Sequence, residues 1–157
     1  MDGRIVCRVM LNSYSKLEDK CRVIDMHIYN TAIHSAFKNT HDTLKEIERL
    51  SCEKVSYINT KVIIDQAMAR LRRVYEIEQH HIKGISIKQI ATTLGASENT
   101  IEHRAYRQRE KLYAEILERY SGEQLLDVIC DSGWLMSMYK RAVKQSQNGK
   151  EQQQKQK

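Results

Sequence analysis

Apolar residues recur at intervals of three and four through much of the chain, the period that lines one face of an α-helix. Between Lys16 and Lys38 they fall at Leu17, Cys21, Ile24, Ile28, Ala32 and Ala36, which predicts a first long amphipathic helix. Residues 1–14 leave two readings open. Ile5, Cys7, Val9 and Leu11 share one parity, as in a strand, whereas Val6 and Met10 break the alternation, as in a helix. A second helix starts near Thr40, with Thr40 or Asp42 as N-cap and Leu44, Ile47 and Leu50 on its apolar face; it ends near Ser51 or continues. Ser56 opens a longer run in which Ile58, Val62, Ile63, Ala67, Leu71 and Val74 keep helical spacing almost to His80, with Ile77 and Ile82 extending the face. Gly84 stops this run as a C-cap glycine, and His80, His81 and Lys83 before it place cations at the carbonyl end of the helix dipole.

The next segment carries the most specific pattern. Ser86 is an N-cap for a helix of about Ile87 to Leu94, with Ile87, Ile90, Ala91 and Leu94 facing inward and Lys88, Gln89, Thr92 and Thr93 facing out. Gly95 ends that helix in the left-handed conformation that only glycine adopts cheaply. Ala96 fills the turn, Ser97 caps a second helix that begins Glu98-Asn99-Thr100, and Ile101, Ala105 and Leu112 form its inner face. A helix, a short glycine turn and a serine-capped helix make a helix-turn-helix, in which a small residue such as Ala91 permits close crossing. A tight helical hairpin inside a core is the competing reading.

On the outer face of the second helix, Ser97, Glu98, Asn99, Thr100, Glu102 and His103 lie near the N-terminus, where a recognition helix meets base edges in the major groove. Arg104, Arg107, Arg109 and Lys111 follow, placed to neutralise phosphates, and Lys88 lies on the preceding helix. These positions predict a double-stranded DNA-binding surface.

Composition sharpens the fold class. No proline and only six glycines in 157 residues remove the punctuation of many-turned sandwiches and barrels, so the expectation is an all-α chain. The longest apolar runs, such as Val62-Ile63-Ile64, fall far short of the roughly 20 residues of a membrane span, and no secretory signal segment builds at the N-terminus. Cys7, Cys21, Cys52 and Cys130 are widely spaced without a C-x-x-C pair, which reads as buried, reduced thiols of a cytoplasmic protein. The net charge of +6 is concentrated in residues 61–119 and in the tail, compatible with a polyanionic partner.

Gly84-Ile85-Ser86-Ile87-Lys88-Gln89-Ile90-Ala91, Leu94-Gly95-Ala96-Ser97-Glu98-Asn99-Thr100-Ile101 and Lys111-Leu112 resemble region 4 of bacterial sigma factors. That region commonly reads Gly-Leu-Ser-Tyr-Lys-Glu-Ile-Ala-x-x-Leu-Gly-Ile-Ser-Glu-Gly-Thr-Val before a basic helix. The resemblance spans Leu71 to Leu117, about a third of the chain. The Ala-Tyr-x-x-x-x-Lys-Leu-x-x-x-Ile pattern from Ala105 to Ile116 is similar to phage late-gene transcription activators of the RinA and ArpU type. This resemblance implies promoter or operator binding with RNA polymerase as a partner, in the cytoplasm and at the nucleoid of a bacterial host. Two departures stand out. Residues 1–60 lack the acidic-aromatic pattern of sigma region 2, and Glu102 stands where many relatives carry Lys or Arg.

The expected organisation is an N-terminal helical region (1–55), a sigma region 4-like module (56–120), a C-terminal helical segment (121–145) and a disordered Gln/Lys-rich tail (146–157). Leu125, Leu126, Val128, Ile129, Trp134, Leu135, Met138 and Tyr139 either pack back on the core or form a homodimer surface. No catalytic constellation, cofactor motif or metal-ligand spacing is present: His27, His34 and His41 lack partners at ligand spacing, and no phosphate loop occurs. A regulator that is not an enzyme is therefore the leading expectation. A small terminase subunit that recognises DNA for packaging and a protein-interaction module are the alternatives.

Overall fold

The computed structural model describes residues 2–37 and 39–154, and the chain is all-α. Helix α1 (Gly3–Ile33) and helix α2 (Thr40–Arg70) form a long antiparallel hairpin, joined through a 3-10 turn at His34–Phe37; Lys38 lies outside the described residues. A short α3 (Tyr75–Ile77) runs into a π-helical turn (Glu78–Ile82), and α4 (Ile87–Leu94) and α5 (Glu98–Leu117) follow. Helices α6 (Gly122–Ile129) and α7 (Gly133–Gln154) complete the chain. No helix among the described residues is long and apolar enough to cross a membrane.

Residues 3–14 are helical, which resolves the ambiguity of the N-terminal segment. Val6, Cys7, Val9, Met10 and Leu11 are all buried because α2, α5, α6 and α7 surround this half of α1, so burial spreads over a wide arc. A helix enclosed on several sides loses its clean amphipathic period. The hairpin is held in register by three polar contacts. Lys54 Nζ lies 2.6 Å from Asp25, Lys61 Nζ lies 4.0 Å from Glu18, and the Tyr14 hydroxyl donates to Asp65.

Helix α2 is continuous through residues 55 and 56, where the sequence pattern suggested a new start. Ser56 is buried mid-helix, and no proline or glycine interrupts residues 40–70. The N-cap is Asn39 instead of Thr40 or Asp42, its side chain accepting from the His41 amide at 3.0 Å. At the other end, α2 stops at Arg70 and Leu71 turns extended, so the periodic run toward His80 is broken. Leu71 and Val74 pack on the main core and Ile77 is fully buried, which satisfies the apolar pattern by a bend of the chain.

Helices α6 and α7 pack back on the core: Leu125, Ile129 and Leu135 are completely buried, and Leu126, Val128, Trp134, Met138 and Tyr139 pack beside them. Ser132 joins α7 to the hairpin, donating from its hydroxyl to Tyr57 Oη at 3.1 Å and accepting from the Leu135 amide. Tyr57 Oη donates in turn to Glu53, and its ring meets the edge of Trp134. The backbone of residues 146–154, expected to be disordered, continues α7; Gln, Lys and Glu are favourable helix formers once a helix is running. Residues 155–157 lie outside the described residues. The cysteines also depart from expectation, since Cys52 and Cys130 are exposed and only Cys7 is fully buried.

Two hydrophobic clusters share α5. Its C-terminal half supplies Leu112, Tyr113 and Ile116 to the main core, whereas Ile101 near its start belongs to a small cluster with Ile90 and Ala91. Leu112→Ala should therefore cost about 2–5 kcal/mol of global stability, read as a loss of Tm. Ile101→Ala should instead release α4, giving fast amide hydrogen exchange over residues 87–94 while α1 and α2 stay protected.

Candidate functional site

Local signals build the α4–turn–α5 unit. Ser86 and Gln89 form a reciprocal cap on α4, with the Ser86 amide donating to Gln89 Oε1 at 3.1 Å and the Gln89 amide to Ser86 Oγ at 3.3 Å. Gly95 takes φ 60° and ψ 32°, and the Ala96 amide then reaches back to the Ala91 carbonyl at 3.0 Å. Any side chain at Gly95 would be strained by that dihedral. Ser97 Oγ accepts from the Thr100 amide at 3.2 Å and also bonds to the Thr100 hydroxyl at 2.8 Å. Ile90, Ala91 and Ile101 close the interface between the two helices, flanked by Ile85, Ile87 and Ala96.

All ten predicted site residues are exposed, and the helical repeat sorts those on α5 into two flanks. Arg104, Arg107 and Lys111 line one groove of about 800 Å³, together with Arg72, Arg73, Tyr75, Glu78 and Gln108. Asn99, Glu102 and His103 line a second groove of about 410 Å³ on the opposite flank, with Tyr106, Arg109 and His80. Lys88, Ser97, Glu98 and Thr100 border neither groove. Ser97 and Thr100 are engaged in capping, and Glu98 sits in the first turn of α5, where a negative charge complements the helix dipole.

Sequence reasoning missed Arg72 and Arg73, which follow the end of α2 and face the cationic flank of α5. A dibasic pair at the end of an amphipathic run was the available signal. It also missed Tyr106, a large aromatic ring that is 55% exposed between the polar groove and a third one of about 360 Å³. Arg4, Arg8, Asn12 and Arg109 line that third groove, so α5 has cations on both sides.

The cations differ in availability. Arg72, Arg73, Arg107, Lys111, Arg8 and Arg109 make no ion pair among the described residues, whereas Arg4 pairs with Glu110 at 3.1 Å. Arg104 lies 3.8 Å from Glu76, a carboxylate only 7% exposed, which also accepts from Gln108 Nε2. Gln108 Oε1 accepts from the Ile77 amide at 3.2 Å, so this group fastens α3 to the middle of α5. Arg104 therefore serves the fold as well as the surface, because removing it would leave a buried carboxylate underpartnered.

Behind the polar groove, His80 Nδ1 lies 2.9 Å from the Ile85 carbonyl oxygen and its ring contacts His81 edge-on. His81 is buried and its Nε2 has no hydrogen-bond partner among the described residues, contrary to its expected role as a cation at a helix end. Burial, reinforced by the nearby charges of His80 and Arg109, pushes its pKa down to about 4. Burial also pushes the Tyr113 phenol up to about 12. No family model, curated protein or solved structure matches this chain.

Because the folded-state pKa of His81 lies below the ordinary 6.5, the unfolded chain binds this proton more readily. The stability it contributes is complete above about pH 6.5 and is lost as pH falls toward 4, by on the order of 2 kcal/mol between pH 7 and 5. Urea unfolding of the protein and of His81→Leu at both pH values checks this, since the variant should lose less stability on acidification.

Proposed function

We propose that the protein is a sequence-specific double-stranded DNA-binding transcription regulator in which α4, the glycine turn and α5 form a helix-turn-helix. In this reading α5 is the recognition helix. The observation that carries it is the division of the α5 surface: hydrogen-bonding side chains at Asn99 and His103 near its N-terminus, and behind them Arg107 and Lys111, which make no ion pair among the described residues, joined by Arg72 and Arg73. Phosphate contacts position a protein on a duplex and base-edge contacts give it specificity, so one helix carrying both in this order suits a major-groove reader. The sequence resemblance to phage activators extends the proposal to promoters and to RNA polymerase as the partner, in a bacterial host cytoplasm. The protein acts in this role by binding, without catalysis or a cofactor.

Glu102 shapes the base preference in this account. A carboxylate at a base edge accepts from the cytosine amino group and repels phosphate, so it narrows the set of tolerated sequences. Arg109 lines the same groove about two turns further along α5.

Selection from a library of random duplexes at two salt concentrations, followed by sequencing, tests the proposal. An enriched motif is expected. Arg107→Ala and Arg72→Ala should weaken all sequences alike and flatten the dependence of log affinity on log salt by about one unit each. Asn99→Ala and His103→Ala should instead lose about 1–3 kcal/mol on the preferred motif and little on other sequences. Motif-free retention with equal losses from both kinds of variant would overturn the assignment of α5 as a reader.

A further inference from the structure

The groove of about 360 Å³ between the start of α1 and the middle of α5 gathers hydrogen-bond donors from both helices: Arg8 and Asn12 on α1, and Arg109 and Tyr113 on α5. Two carboxylates also border it, and both are engaged within the fold. Asp2 caps α1 by accepting from the Arg4 amide at 3.1 Å, and Glu110 holds the Arg4 guanidinium at 3.1 Å. Arg8 and Arg109 have no ion pair among the described residues. Tyr113 points independently to an acceptor from outside the chain. It is only 6% exposed, yet its hydroxyl has no hydrogen-bond partner among the described residues. Burial holds this phenol up at about 12 against the opposing charges of Arg109 and Arg8, so it is a donor at neutral pH. A buried donor without a partner is costly, and two guanidinium groups beside it select an oxyanion as the group that satisfies it.

The position of the groove identifies that oxyanion. Arg107 and Arg109 lie about 160° apart around α5, and they line different grooves. Arg109 and Tyr106 also line the groove of Asn99, Glu102 and His103, so the donor-rich groove adjoins the surface assigned to base edges. A helix with its side chains is about 10–12 Å across and fills a major groove about 12 Å wide, whose two walls are the phosphates of the two strands. When Arg107, Lys111, Arg72 and Arg73 face one wall, Arg8 and Arg109 face the other. We propose that the groove between α1 and α5 binds a backbone phosphate of the second DNA strand, with Arg8 and Arg109 as charged donors and Tyr113 Oη as a neutral one. This assignment rests on the reading of α5 as the recognition helix, and it gives the N-terminal helix a direct part in binding.

Affinity of the full chain for its most enriched duplex across a salt series, combined with phosphate ethylation interference on that duplex, tests the proposal. Arg8 is an exposed side chain, so Arg8→Gln should leave the thermal melt unchanged. It should flatten the slope of log affinity against log salt by about one unit. Tyr113→Phe keeps the ring in the core and should weaken binding about tenfold with the slope unchanged. Ethylation should interfere with the native protein on both strands. Arg8→Gln should silence the interference on one strand, and Arg107→Ala should silence it on the other. If both substitutions silence the same strand, or if Arg8→Gln binds like the native protein while Arg107→Ala is weakened, the phosphate site is overturned and α5 stands as the reader. A native protein without salt-dependent duplex binding would overturn both.

Discussion

The sharing of α5 between two hydrophobic clusters is the constraint on which the rest of the structure depends. Ile101 closes the small cluster with α4, and Leu112, Tyr113 and Ile116 are embedded in the main core. One stiff helix thus belongs to both, and its inward faces are committed along its length. The outer face is fixed as a consequence, and its exposed side chains include Asn99, Glu102, His103, Arg104, Tyr106, Arg107 and Lys111. Gln108 adds a fastening at the middle, tying α5 to the Ile77 amide and the Glu76 carboxylate. A surface held this way meets a partner with little ordering cost, since most of its backbone entropy was lost on folding.

Electrostatics divides the cations into two groups by use. Arg104 is drawn toward a buried carboxylate, and Arg70 and Arg119 share Glu115, so these charges are partly neutralised within the fold. Among the described residues, Arg72, Arg73, Arg107 and Lys111 have no such partners, and they line one groove. Concentrating unpaired like charges costs stability through mutual repulsion, most of it at low salt. That cost is relieved by a polyanion, which is the physical content of the proposed DNA-binding role.

Much of the candidate site was legible because its signals are local. Ser86, Gly95 and Ser97 fix the ends of α4 and α5 through caps within a few residues of each other, and the structure shows each cap as the spacing predicts. The errors arose where tertiary surroundings decide. Residues 3–14 look ambiguous in sequence because several helices bury them from different sides. Ser56 resembles a helix start, yet it lies buried within a continuous α2. The break at Leu71 was hidden because the apolar spacing continues through the bend, and with it went Arg72 and Arg73. His81 illustrates the same limit, since nothing in its neighbours' identities reveals that its ring is buried.

The most direct test of the account is a nuclear magnetic resonance titration of the protein with a short DNA duplex, following backbone amides and arginine side chains. The account predicts shifts concentrated at residues 99–111 of α5 and at Arg72 and Arg73, with the buried faces of α1 and α6 unmoved. Shifts confined to the hairpin or to α7, or none at low salt, would contradict it.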